Sequence, residues 1–467
     1  MKYPQINNIL IIGFGHHAKR IHFPVIEAVD NAQIVGIVDI VSEKQLVEEY
    51  LEAKNKKVDK LLFRSANNVN IDTLTKFADK LNTNSVIVST GPDSHCLYSS
   101  WALKQGYSVL MDKPVHAENN SAHNKKSARK IHKEYIRLLK TYEKYKKQYP
   151  YLACEVLSQR RYHPAYKIIK DNIENIYSLT NCPITYYYAF HNDGQWRLPT
   201  EISEIDYHGF KDGYGKASHS GYHFYDLLNW FTSNFREEKN IEYLQTKSWA
   251  NFPVNYLKQI DSAVLNKTFN ENVDKNENDI SKYGEIDVMS TIQLCANDTV
   301  ITHAQIDLLH SGLSSRSWID VSGRNLYKGN GRVRHEQHYI AMGPFASILL
   351  TSWQSKPFDS EQINNSNIFK PGHEFNLDIT ICRNSKIVGG KDVETYTLND
   401  FYDPTLTGYS RGHQEDARRN AIIQFNDLVV NGNNTGASTL ASHLLTSKIM
   451  SSVYESLATN ETIKNHI

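Results

Sequence analysis

The chain of 467 residues has few cysteines, no excess of either charge and no long apolar run. Its cysteines, Cys96, Cys154, Cys182, Cys295 and Cys382, are odd in number, far apart and without CxxC spacing. That pattern excludes a disulfide framework and a cysteine zinc site, and it favours a reducing compartment. The 52 Lys and Arg nearly cancel the 51 Asp and Glu, leaving a formal charge of +1. Nothing global therefore argues for nucleic acid or an anionic membrane surface. No stretch approaches the ~20 apolar residues of a membrane span, and the apolar run before Gly13 is too short for a secretory h-region. A cytoplasmic location is expected. No internal repeat is visible, and the length suits two or three domains with a large core.

What is present is concentrated near the start. ILIIGFGHHA, residues 9–18, is an apolar run that breaks into Gly13, Phe14, Gly15, His16, His17 and Ala18. A GxGxxA turn between a buried strand and a helix lets backbone amides and the helix N-terminus approach a pyrophosphate. QIVGIVD, residues 33–39, reads as a second strand ending in an acid. Asp39 lies about 20 residues past the turn, where a carboxylate accepts hydrogen bonds from an adenosine ribose diol. An acid there repels a 2′-phosphate, and Ile40 and Val41 supply no arginine to bind one. NAD is expected over NADP.

Helical patterns follow at 42–54 and 71–80, then a continuous apolar strand at 85–90, a helix at 94–105 that Ser94 can cap, and a strand at 107–111. Alternation at this spacing means right-handed crossovers and a parallel sheet. Ligands collect beyond the carboxyl ends of such strands, where Gly13, Asp39, Thr90, Pro92 and Lys113 fall. A basic helix over about 118–148 has apolar residues spaced at three and four, so its charges form a solvated face. From Tyr151 the texture changes. YLACEVLSQ, PITYYYAFH, EIDVMSTIQL and TVITHAQIDLL read as strands of an antiparallel sheet. Residues 266–282 are polar and read as an exposed, mobile insertion, and helices over about 414–430 and 439–459 close the chain. The fold class expected is α/β: a Rossmann dinucleotide-binding domain over 1–150, then an α+β domain over 151–467 with a large, mainly antiparallel open sheet for substrate binding and oligomerisation.

In order, GFGHHA, STGPDSH (89–95), MDKPVHA (111–117), QRRYHPAY (159–166), SGYHFYDLLNWF (220–231) and the pattern over 437–456 resemble the Gfo/Idh/MocA oxidoreductases. The resemblance implies that Lys113 lies near the reacting carbon and the nicotinamide, and that His223 takes a hydroxyl proton. It also aligns Thr90, Pro92 and His95 with cofactor-binding segments. An ammonium favours alkoxide formation, and an imidazole titrates near neutrality. Asp226, on the same helical face, can orient His223 or contact substrate. Many members carry DxGxH where this chain has His219, Ser220, Gly221, Tyr222 and His223. His219 therefore replaces a carboxylate, and it is carried as a third catalytic candidate.

Arg160 and Arg161 are candidates for hydroxyl or phosphate contacts, one of them alternatively for a structural ion pair. Trp196, Tyr186 and Tyr188 read as sheet packing. His16 and His17 suggest no metal, because no matching ligands accompany them in sequence. The function implied is hydride transfer between a sugar, sugar derivative or cyclitol and nicotinamide C4. Two alternatives stay open: a redox-neutral enzyme that recycles tightly held NAD, and a nucleotide-binding regulator without turnover. A homo-oligomer through the C-terminal sheet is expected.

Overall fold

The computed structural model describes residues 3–65, 69–204, 208–269, 280–315, 331–355, 371–373, 375–400, 413–432 and 436–467. These form two compact units that interleave along the chain. The first comprises residues 1–117, 131–163 and 414–447, and the second comprises 118–130, 164–413 and 448–467. The sequence draws one boundary near 150, whereas the chain passes between the units several times. Among the described residues no helix is long and apolar enough to cross a membrane.

The first unit is built on a parallel sheet of order β3-β2-β1-β4-β5-β6. Its strands are β1 (Asn7–Ile12), β2 (Ala32–Ile40), β3 (Asp59–Phe63), β4 (Ser85–Val88), β5 (Ser108–Met111) and β6 (Cys154–Val156). Strands β1, β4 and β5 are buried almost throughout, which explains their unbroken apolar runs. Strand β6 corrects the reading of YLACEVLSQ. It pairs parallel with β5, Leu110 opposite Glu155, and so belongs to this sheet. The helix Ile71–Lys80 falls where its periodicity places it, with the Asn70 side chain accepting from Thr73 N–H. Helix His95–Gln105 begins at Ser94, but the Ser94 hydroxyl does not cap it. That hydroxyl instead bonds Gly91 O at 2.8 Å and Thr90 Oγ1 at 2.7 Å.

The basic helix runs over Lys125–Gln148, later than its composition suggests. Asn124 Oδ1 accepts from the amides of Lys126 and Ser127 and fixes the start. Its apolar stripe, Ile131, Tyr135 and Leu138, is buried. Helix His413–Asn431 supplies Ala421, Ile422, Phe425, Leu428 and Val429 to the core formed by β1, β2 and the segment after β1.

The second unit carries a nine-stranded sheet of order β14-β13-β12-β11-β7-β10-β9-β8-β15. These are β7 (Tyr186–Asn192), β8 (Tyr243–Asn251), β9 (Asp287–Ala296), β10 (Thr299–Leu309), β11 (Val333–Met342), β12 (Ala346–Ser355), β13 (Asp378–Arg383), β14 (Val393–Thr397) and β15 (Ile463–His466). Every pairing is antiparallel except β7 with β10, so the sheet is mainly antiparallel, as expected. Burial alternates along β9 to β12, leaving one face covered and one open. The insertion expected at 266–282 falls mostly outside the described residues. Its first residues end the helix Ser262–Phe269.

Candidate functional site

In the first unit, the neighbours β1 and β4 lead to opposite halves of the sheet, which makes their carboxyl ends a topological switch point. Chain segments leaving β1, β4 and β5 there deliver Gly13, Thr90 and Lys113. Gly13 has φ +85°, and a Cβ on it would lie 2.5 Å from Ser89 O, so only glycine fits. A Cβ on Gly15 would meet nothing within 4 Å. That open backbone is the cradle a pyrophosphate requires.

Asp39, near the end of β2, closes the turn. Its Oδ2 accepts from Phe14 N–H at 2.7 Å and its Oδ1 from Ile40 N–H at 2.8 Å. Each oxygen keeps a lone pair for a ribose hydroxyl. The Phe14 ring turns the other way and packs edge-on against Phe23 and Tyr50 in the core. His16 is exposed and Ala18 is buried.

The helix after the turn opens with a π-helical segment, Ala18–His22, before continuing as α over Phe23–Ile26. Widening the turn by one residue sets His17 and His22 on one side. His17 Nδ1 lies 2.8 Å from Asp112 Oδ2 and His22 Nε2 lies 3.0 Å from Asp112 Oδ1. Ser89 Oγ donates to Oδ2 at 2.5 Å. Burial alone would raise the Asp112 carboxyl, but the two imidazoles outweigh it and hold the group well below its ordinary range. Burial pushes His17 down to about 4 against the pull of Asp112, with the positive charge of Arg418 acting in the same downward direction.

Asp112 precedes Lys113, which is half-buried and joined to Pro114 by a cis peptide. His95 is buried beside this segment. Its Nδ1 lies 2.8 Å from Pro114 O and its Nε2 3.0 Å from Thr90 O, so it ties the loops after β4 and β5 together. Burial lowers its pKa. Pro92 O accepts from Ala117 N–H at 3.3 Å. Arg160 and Arg161 are both buried in the short helix Gln159–Tyr162. The Arg161 guanidinium donates to Ala437 O, Ser442 Oγ and Ser442 O, which makes it an anchor for the C-terminal segment of this unit.

In the second unit the histidine motif begins with another π-helical segment, Ala217–Gly221, and continues as the α-helix Tyr222–Thr232. His223 and Asp226 are buried on this helix. His219 is half-buried and stacks face to face on His208, ring centres 4.0 Å apart and planes 11° apart. The Phe210 ring meets His219 edge-on at 5.7 Å. His208 has φ +72°, a left-handed conformation that non-glycine residues adopt at a cost.

Glu285 holds the start of this motif. Its Oε1 accepts from Gly215 N–H at 3.1 Å, Ala217 N–H at 2.9 Å and Tyr454 Oη at 2.8 Å, while its backbone carbonyl accepts from Lys216 N–H. Tyr454 Oη in turn accepts from Ser218 N–H. Burial pushes the Glu285 carboxyl up to about 7, against the backbone donors.

Beside it sits a buried polar cluster set by strand register. Strands β7 and β10 are parallel with Asn192 opposite Leu309, so the next residues, Asp193 and His310, emerge side by side. Lys216 Nζ lies 2.8 Å from Asp193 Oδ2, and His310 Nδ1 lies 3.2 Å from the same oxygen. Arg197 Nη1 lies 3.4 Å from His310 Nε2. Burial would raise Asp193, but Lys216 and His310 hold it well below the carboxylate range. Trp196 stacks obliquely on Tyr256, and Tyr186 lies on the open sheet face.

His22, Ser89, Glu285, Tyr454 and the Asp193–Lys216–His310 cluster are functional candidates that pattern reading missed. Among them Lys216 alone lies close to a motif in sequence, three residues before His219. The others become neighbours through pairing and π-turns that leave no mark in a linear pattern.

Residues 7–136 match the model of an oxidoreductase family described by its NAD-binding Rossmann fold. A search of curated proteins gives no match. Among solved structures, the chain is similar to an oxidoreductase from Agrobacterium radiobacter in complex with NAD+, L-tartaric acid and magnesium. That pair has a TM-score of 0.57, 13% identity and coverage of 98% of each chain. Scyllo-inositol dehydrogenase from Lactobacillus casei with NAD(H) and scyllo-inositol gives 0.58, 13% identity and coverage of 98% and 99%. Aldose-aldose oxidoreductase from Caulobacter crescentus, complexed with glycerol, gives 0.56, 12% identity and coverage of 98% and 100%. At such identities the likeness is one of fold. Residues 7–136 thus carry the match to this NAD-binding oxidoreductase family, and over the rest of the chain the likeness to these structures is one of fold.

Proposed function

We propose that the protein is an NAD-dependent dehydrogenase acting on a sugar, sugar derivative or cyclitol. The observation that carries this reading is the turn at the switch point: a strained Gly13, an open Gly15 and an Asp39 carboxylate fixed by the Phe14 amide. Residues 13–18 and Asp39 hold the dinucleotide, with Thr90, Pro92 and His95 shaping the adjoining loop. When bound, NAD supplies the nicotinamide that accepts or returns a hydride.

The remaining chemistry belongs to the chain. Lys113 places an ammonium by the substrate oxygen and favours the alkoxide. His223 takes the hydroxyl proton as the carbon gives up its hydride, and returns it in the reverse direction. Asp226 orients His223. His219, held between His208 and Phe210, replaces the usual carboxylate as hydrogen-bond partner to substrate or base, and Arg160 is a further substrate contact. The donors of Arg161 are already engaged by the C-terminal segment, which supports the structural reading for that residue.

Five free thiols suit a reducing compartment, and we place the enzyme in the cytoplasm. Its open sheet face, carrying Tyr186, Tyr339, Trp353, Met289 and Trp249 partly exposed, is assigned to a second copy of the chain.

Absorbance at 340 nm with NAD and a panel of aldoses, amino sugars, sugar acids and inositols tests the reading, with Lys113→Met alongside. Wild type is expected to form NADH with at least one member. Lys113→Met is expected to lose about 10²–10³ in kcat while still binding NADH. A wild-type protein that fails to bind NADH overturns the proposal.

A further inference from the structure

The π-turn in the N-terminal helix does something that dinucleotide binding does not require. In an α-helix, residues five apart point about 140° away from each other. In the π-turn His17 and His22 share a side, and the end of β5 brings Asp112 between them from a strand 90 residues further along. The four nitrogen and oxygen positions involved come from two chain segments, and one atom from each residue lies within 4.8 Å of the others.

We propose that His17 Nδ1, His22 Nε2 and the Asp112 carboxylate form a binding site for a borderline-soft divalent metal ion such as Zn²⁺ or Co²⁺. Two imidazoles and one carboxylate are a ligand set that such ions accept. Bonds of about 2.0–2.1 Å set tetrahedral ligand atoms about 3.3 Å apart, against the present 2.8 and 3.0 Å. The two histidine–carboxylate pairs therefore need to open by only a few tenths of an ångström. Coordination takes the lone pairs of His17 Nδ1 and His22 Nε2, which sets each ring's proton on its far nitrogen, His17 Nε2 and His22 Nδ1.

Ser89 Oγ steadies the carboxylate as an outer partner. His22 is fully buried whereas the His17 side chain is 33% exposed, so the site is anchored on one side and open to solvent on the other. A fourth position remains for water. The donor set is complete within the first unit and stands whether or not the dehydrogenase reading holds.

The test is a cobalt titration of the full chain after chelator treatment, read by the visible bands of tetrahedral Co²⁺, with zinc retained through gel filtration counted by elemental analysis. One equivalent is expected. His17→Ala, at a part-exposed position, and His22→Gln should each weaken binding by more than the roughly 10–100-fold that loss of an outer partner brings. Rescue of tetrahedral cobalt bands by His17→Cys would confirm the position. NADH binding by the wild type and by His22→Gln, a position outside the dinucleotide turn, separates this outcome from the dinucleotide reading. Wild type that retains no stoichiometric metal, or variants that bind as wild type does, would show that the cluster is only a hydrogen-bonded brace.

Discussion

Gly13 and Gly15 stand two residues apart and carry different burdens. Gly13→Ala drives a Cβ into Ser89 O from a left-handed backbone, and the expected result is a loss on the order of 1–3 kcal/mol of stability, read by denaturant unfolding. Gly15→Ala meets open space and should leave stability within about 0.5 kcal/mol. It should still weaken NADH binding by about tenfold or more, the worth of one hydrogen bond to a charged phosphate, read by fluorescence titration. Glu285 makes a different prediction. A carboxyl raised from 4.5 to about 7 in the folded state binds a proton more tightly there than in the unfolded chain. Its contribution to stability is therefore intact below about pH 4.5 and falls as pH rises to about 7, the loss totalling roughly 3 kcal/mol above that. Glu155, also raised to about 7 by burial, adds a similar slope. Glu285→Gln should flatten the fall in stability between pH 5 and 8 relative to wild type, measured by urea unfolding across that range. The glycine turn and Asp39 were legible because their spacing is local. Glu285 was not, because a strand-leading acid acquires meaning only when Gly215 and Ala217 fold onto it.

Elements differ in how plainly they announce themselves. Strands β1, β4 and β5 are buried on both faces and therefore apolar without interruption, and the helix Ile71–Lys80 has both a cap and a period. Strand β6 is three residues long, and nothing in CEV says which sheet will take it. The helix His413–Asn431 was visible as a helix, but an apolar stripe reports that a surface will be covered and not which one. Its Phe425 is 1% exposed in the core shared with β1 and β2. Phe425→Ala should cost the first unit about 3–5 kcal/mol, seen as earlier unfolding of that unit in differential scanning calorimetry. Both π-turns also escaped the sequence, since one extra residue in a helix changes no composition. Each is where a motif histidine departs from α-helical register, at His17 and His22 and again at His219.

For the whole molecule, the open face of the nine-stranded sheet is the surface that the proposed self-association would cover. Strands about 4.8 Å apart and roughly six residues deep present about 800–900 Å², close to the ~800 Å² per partner of a standard stable interface. Aromatic contacts run across it, Phe190 to His335 to Trp353 and Tyr186 to Tyr339, with few charges to oppose self-association. Tyr339→Asp combined with Trp353→Asp should shift sedimentation from an oligomer to a monomer while leaving the fold intact, since both side chains are already partly exposed. The interleaving of the two units has a consequence for synthesis. The sheet that receives the nucleotide is complete as strands once residue 156 exists, yet its covering segment, 414–447, is made almost last. At ribosomal rates of about 5–20 residues per second, the nascent chain waits roughly 15–60 s with β1 and β2 uncovered. The first unit to be translated is among the last to be finished, and through that interval apolar positions of β1 and β2 lack the cover that Ala421, Ile422 and Phe425 later give them.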